Sequence, residues 1–245
     1  MYLRGEGFHS DRGERYSIFM RCEIIYEDDE MLTIHKPAGL ATQSSSAWQA
    51  DAVSELKNYL SKKGISYLGV IHRLDQPVEG LLVFAKTPEA ATKLSKQLQQ
   101  GTLNKKYLAL VGVKPNPEEG ELVDSLRKDG GRAQIVTGRE DKFPDAKDAR
   151  LSYHVIARED EMSFPETVAV LEVQIETGRF HQIRAQLAHA GWPILGDQKY
   201  GDENARNLAT ECGIRTVALC AASVECRHPK TGKVMHWECR PAWLS

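Results

Sequence analysis

The sequence predicts an α+β protein whose core is a largely antiparallel β-sheet with flanking helices. Three observations predict it. Short strand-like runs bounded by turn residues outnumber helical segments. Only three helices are readable, too few to alternate with that many strands as a doubly wound sheet requires. Consecutive runs are joined by short turns, which favours antiparallel pairing.

The runs are CEIIYED from Cys22, MLTIHKP from Met31, GVIHRLD from Gly69, GLLVFAK from Gly80, KYLALVGV from Lys106, ARLSYHVIAR from Ala149, TVAVLEVQIET from Thr167, ALCAASVEC from Ala218 and KVMHWECR from Lys233. Over 169–176, Ala169, Leu171, Val173 and Ile175 alternate with Val170, Glu172, Gln174 and Glu176, the period of a strand with one dry face. A first helix over 52–60 puts Val53, Leu56 and Leu60 on one side, with its start open between Ser46 and Asp51 and Gly64 beyond its end. The second has a capping hydroxyl at Thr87, Pro88 in the first turn, then Ala91, Leu94 and Leu98, with Gly101 as the stop. A third lies between Phe180 and Ala190, with Ile183 and Leu187 one turn apart and Gly191 and Pro193 ending it. Residues 114–150, charged and containing Gly130-Gly131 and Phe143-Pro144-Asp145, are the candidate for a mobile insert.

Composition narrows the class. At 245 residues the chain can bury a sizeable core, and no apolar run approaches the roughly 18–20 residues of a bilayer span. The first 20 residues lack the apolar core and small-residue cleavage site of a secretory signal and are read as a loose leader before a single domain over 21–245. The cysteines at 22, 212, 220, 226 and 239 are odd in number and contain no C-x-x-C pair, so reduced cytoplasmic thiols and no metal are expected, and with no Walker loop or dinucleotide glycine fingerprint no cofactor is expected either. Net charge is −2, but segments 88–106 and 226–240 each hold four Lys or Arg against a single acid, which suits either a basic face or ordinary solvated charge.

Three groups of residues can carry chemistry. In VIHRLDQP, extended geometry points His72 and Leu74 one way and Arg73 and Asp75 the other, just before Pro77 and Gly80 turn the chain. That is a carboxylate with a cation beside it, able to act as a nucleophile, or an ordinary surface ion pair. In TGRFHQIRAQLAHAG, His181 and Arg184 share a helix face while Ile183 and Leu187 occupy another. A guanidinium presented this way can hold a carboxylate or merely form a solvated basic side, and His181 reads as a structural hydrogen-bonding residue. In NKKYLALV, Lys105 and Lys106 precede Tyr107, an arrangement suited to a stacked base near a phosphate, or to a packed tyrosine with its lysines in water.

The blocks HRLDQPVEGLLVFAKT, KKYLALV, TGRFHQIRAQLAHAGWPILGDQKYG and ALCAASVECRHPKTGK, in this order, resemble the RluA-type pseudouridine synthases over about residues 22–242. The resemblance implies a single pseudouridine synthase domain with a mixed sheet, acting without a cofactor on structured RNA, rRNA or tRNA. It implies Asp75 as the catalytic carboxylate, Tyr107 for stacking and proton handling, and Arg184 pairing the carboxylate, expected as a planar two-pronged contact. Arg73 would displace the target base and Leu187 would form an apolar wall against it; His72, Lys105 and Lys106 complete the expected substrate-binding set. A monomer with no membrane contact and no obligate protein partner is expected. Two features depart from the pattern: Val78-Glu79-Gly80 replaces the usual Thr-Ser-Gly, and His35 stands where many relatives have asparagine. With only about 20 residues ahead of the catalytic block, RNA recognition is expected from that block itself. A non-catalytic RNA-binding module and a nucleoside or glycoside hydrolase are the competing readings; the first has no need of Asp75 at a cationic site, and the second often needs another acid at a set separation.

Overall fold

A computed structural model describes residues 20–44, 46, 48–137, 143–156 and 164–244; the proposed leader lies outside them except for Met20. Eleven strands form one sheet: β1 (Glu23–Glu27), β2 (Met31–Lys36), β3 (Gly69–Val70), β4 (Glu79–Ala85), β5 (Asn104–Val111), β6 (Glu119–Asp129), β7 (Arg132–Val136), β8 (Lys147–Ile156), β9 (Ala169–Ile175), β10 (Leu219–Arg227) and β11 (Val234–Glu238). Their order is β1-β2-β4-β10-β5-β9-β8-β6-β7, with β3 added to β4 and β11 to β10. The strand pairs are antiparallel except β4 with β10, which run parallel where Cys220 faces Glu79 and Ala221 faces Gly80. Gly80 makes that junction possible. Its φ is +122°, and a Cβ there would come within 2.5 Å of the Ala221 backbone.

Four helices flank the sheet: α1 (Ala52–Ser61), α2 (Pro88–Gln99), α3 (Gln182–His189) and α4 (Glu203–Glu211). Asp51 is the cap of α1, accepting from Ser54 N at 2.7 Å, and Thr87 caps α2. The sequence reading missed α4 because the residues it buries are small alanines, Ala205 and Ala209, which leave a faint periodic signal. One sheet face packs Leu32, Ile34, Leu82 and Phe84 against α1, α3 and α4; the other packs Met31, Leu81, Val83 and Ala85 against α2 and β11. Among the described residues no helix is long and apolar enough to cross a membrane.

Two expectations need correction. The segment 114–150 is no insert: its described residues form β6, β7 and the start of β8, with Gly130 and Gly131 at positive φ in the turn between β6 and β7. Long polar side chains on a sheet margin mimic a loop in composition, while backbone pairing decides the structure. GVIHRLD is a strand only through Gly69 and Val70. Beyond Val70 the chain leaves the β4 edge, and β10 takes that edge at Glu79 and Gly80. Asp75 therefore sits where the sheet forks.

Candidate active site

The loop bearing Asp75 is clamped by its neighbours. Thr42 Oγ1 donates to Leu74 O at 2.9 Å and accepts from Leu74 N at 3.1 Å. The fully buried Lys36 ammonium donates to the carbonyls of Leu40 (2.7 Å), Pro37 (3.0 Å) and Gln76 (3.3 Å), and burial draws its pKa down to about 8 although the Asp75 charge opposes this. A buried cation so satisfied by backbone oxygens fixes two loops against each other.

Arg184 projects from α3 with its side chain 4% exposed and spans two carboxylates. Nη1 donates to Asp75 Oδ2 at 3.1 Å, while Nε and Nη2 grip Asp197 at 2.7 and 2.8 Å. The two-pronged contact expected with Asp75 is thus made with Asp197, and Asp75 receives one prong. Asp197 also accepts from Lys199 N and Tyr200 N. Burial alone would raise its pKa, but hydrogen bonds and charge from Arg184 outweigh this and lower it. Gly196, at φ +75°, permits the turn before it, since a Cβ there would stand 2.0 Å from Thr216 O.

His181 sits in left-handed backbone just ahead of α3. Tyr200 Oη accepts from Ala133 N at 2.6 Å, so its own hydrogen points to His181 Nδ1, 2.8 Å away. That network assigns the imidazole proton to Nε2, which faces Asp75 Oδ2 at 3.7 Å. A hydrogen-bonded line thus runs from the β7 edge to His181, whose Nε2 stands within charge contact of the carboxylate but beyond hydrogen-bond distance. Burial is the main reason the His181 pKa falls to about 4, and the ring is neutral at pH 7. Between the ordinary value of 6.5 and about 4 the unfolded chain binds more protons at this residue. Its stability contribution is therefore complete above that interval and is lost on acidification, by at most about 1.4 kcal/mol per pH unit. Thermal melts across the interval should show a smaller fall in Tm for His181→Gln than for wild type; equal falls would contradict a buried neutral imidazole.

The remaining predicted residues divide by burial. Arg73 is exposed and has no hydrogen bond or ion pair among the described residues, leaving it free for a ligand. Tyr107 is 5% exposed, and burial, followed by the Asp75 charge, raises its pKa well above the ordinary range. Lys105 is half-buried with its pKa drawn down to about 8 by desolvation, and Lys106 is paired with Glu172 at 2.9 Å. Two more candidates are buried like Tyr107, which itself belongs to the core cluster. His72 is 7% exposed and its Nε2 accepts from Val83 N at 3.3 Å, capping the β4 edge where β3 ends. Leu187 is fully buried in the core cluster, on the inner side of α3. Leu187→Ala should accordingly cost about 2–5 kcal/mol of stability. Substrate affinity of the folded variant should stay the same; a selective rise in KM with normal melting would restore Leu187 to the site.

The cleft beside Asp75, about 480 Å³, is lined also by Gln76, Phe180, Arg184, Lys199 and Arg215. Asp75 is the one acid among its lining residues, in the company of three cations. A second depression of about 460 Å³ is lined by Glu119, Glu121 and Glu172, a surface that repels a polyanion. Asp197, Tyr200, Lys199 and Arg215 escaped the sequence reading. The first three lie in GDQKYG, the end of one of the blocks on which the family resemblance rested, and that was the available signal.

A clamped carboxylate in a cationic cleft at a sheet fork defines a site for anionic ligands with acid–base or nucleophilic capability. The chain belongs to the RluA-type RNA pseudouridine synthase family: the RNA pseudouridylate synthase profile matches residues 30–189. It is 34% identical over 226 residues to ribosomal large subunit pseudouridine synthase D of Nitrosomonas europaea, covering 88% of this chain and 61% of that protein. It is 30% identical over 224 residues to tRNA pseudouridine synthase C of Haemophilus ducreyi, covering 86% of this chain and 88% of that one. Human RNA pseudouridylate synthase domain containing 4 shares the fold at a TM-score of 0.70 and 23% identity, over 89% of this chain and 88% of that one.

Proposed function

We propose that this protein is an RNA pseudouridine synthase that isomerises a uridine in rRNA or tRNA, with Asp75 as the catalytic carboxylate. The observation that carries the reading is Asp75 held by Arg184 as the single acid of a cationic cleft. The reaction breaks the bond from the ribose to a base nitrogen and forms one from the same sugar to a base carbon. Product and substrate have the same atoms, so no external donor or acceptor is required.

The target base must leave its stack to reach a carboxylate inside a cleft, at a cost of a few kcal/mol. Arg73, exposed and unpaired beside Asp75, fills the vacated space and offsets part of that cost. Arg184 holds the ionised carboxylate on its line of approach, whether Asp75 attacks the sugar, adds to the base or assists elimination. Lys199 and Arg215 contribute phosphate contacts. A hydrolase is the weaker reading because Asp197, the second acid closest in the network, has a side chain 1% exposed and both oxygens engaged by Arg184. Incubating purified protein with unmodified rRNA and tRNA and measuring pseudouridine and free uracil by mass spectrometry tests this. Pseudouridine without free uracil is expected; free uracil would indicate a hydrolase, and unchanged RNA a binding module. The same reading expects a cytoplasmic monomer, checked by fractionation and sizing.

A further inference from the structure

On the sheet face opposite Leu74 and α3, residues from distant parts of the chain converge. His35 of β2, Cys220 of β10 and Cys239, just past β11, place one ligand atom each within 4.8 Å of one another. Strand alternation puts them there: Lys36 turns to the catalytic loop, so His35 turns away, and Cys220 precedes Ala221, which lies in the core on the catalytic side. Cys239 is fixed through its backbone N–H, which donates to Ala222 O at 2.8 Å. Both cysteines are free thiols, with their sulfurs 3.7 Å apart. His35 Nε2 is buried and has no hydrogen-bond partner.

We infer that His35, Cys220 and Cys239 form a structural zinc site that fastens the C-terminal segment to the sheet beneath the catalytic loop. Thiolate and imidazole are the ligand types zinc prefers, and the sulfur separation supports the geometry. Two thiolates on a tetrahedral ion at about 2.3 Å each stand about 3.8 Å apart. A disulfide would need the sulfurs at about 2.05 Å. Two thiolates with a neutral imidazole also leave a divalent ion formally neutral, which suits a buried position. Glu79 of β4, buried and paired in register with Cys220, stands next to the cluster. A water takes the fourth position, since the Glu79 carboxylate lies outside the 4.8 Å that gathers the three ligand atoms. Glu79 Oε1 already accepts from Ala242 N at 3.0 Å, so Glu79 ties the same C-terminal segment to the sheet. The ion has no part in the isomerisation, because the sheet separates it from Asp75. Spacing concealed the site: its ligands lie at 35, 220 and 239, and the absence of a C-x-x-C pair had argued against any metal.

Full-length protein, stripped of metal with its thiols reduced, is titrated with cobalt(II) and then zinc(II). One cobalt per chain is expected, with a thiolate-to-cobalt charge-transfer band and the visible bands of a tetrahedral ion, and zinc should displace it and raise Tm. Cys239→Ser should lose the charge-transfer intensity, and both Cys239→Ser and His35→Asn should weaken binding by at least about tenfold, since removing a ligand costs no less than disturbing its surroundings. His35→Asn keeps a compact polar side chain, and circular dichroism of both metal-free variants matching the metal-free wild type shows that folding is intact. Three results would overturn the inference: no bands from fully reduced wild type, bands that persist in Cys239→Ser, or a Cys220–Cys239 disulfide that still takes no metal after reduction.

Discussion

Asp75→Asn should abolish isomerisation while leaving RNA affinity unchanged or slightly raised. The amide keeps the shape of the carboxylate and can still accept from Arg184 Nη1, so the loop held by Thr42 and Lys36 has no reason to move. What disappears is the nucleophilic charge, together with one negative charge in a cleft that meets an anionic ligand. Single-turnover rates and affinity measured on the same RNA separate the two effects. A variant retaining as much as about a tenth of the wild-type rate would contradict the assignment of Asp75.

Arg184→Lys should lose most of the rate, about a hundredfold or more, despite conserving charge. In the structure one planar guanidinium serves Asp75 with one nitrogen and Asp197 with two. An ammonium on a flexible stem cannot hold that geometry at both carboxylates, so Asp75 loses its fixed aim. RNA affinity should hardly change, because the side chain is almost fully buried. Asp197→Asn should reproduce part of the loss without touching the cleft, which marks it as a positioning residue. Removing the cation altogether, as Arg184→Ala, leaves Asp197 buried and unpaired and should cost about 3–5 kcal/mol of stability. A phosphate-gripping arginine would behave differently: lysine would be tolerated, and alanine would flatten the salt dependence of binding by about one phosphate. Near-normal catalysis in Arg184→Lys would place Arg184 on the RNA-binding surface.

Local pattern was enough for much of the fold. The cap at Thr87 and the glycine after α3 depend on residues a few positions apart and appear in the structure where the sequence put them, and the alternation in 169–176 marks a strand, although Val170, expected on its wet face, is buried in the core. Burial alternates over 72–75 as the sequence reading expects, with His72 and Leu74 buried, Arg73 exposed and Asp75 partly exposed, although the segment is not a strand. That reading could say which residues diverge, but not what covers each side. The ordered blocks were sufficient to indicate the family and to nominate Asp75, Arg184 and Tyr107.

Tertiary structure decided the rest. Asp75 and Arg184 are 109 positions apart, and their meeting depends on β10 taking the β4 edge that β3 leaves. The second grip of Arg184 on Asp197, the line from Ala133 through Tyr200 to His181, and the burial of His72 and Leu187 all follow from which elements pack together. The strand order β2-β4-β10 likewise gathers His35, Glu79 and Cys220 from opposite ends of the chain. Sequence by itself determined the chemical types available and their local facing, because those depend on backbone period. Only the fold decided which of them share a site, because sheet order is set by the burial of the whole core and leaves no trace in the spacing of the residues it joins.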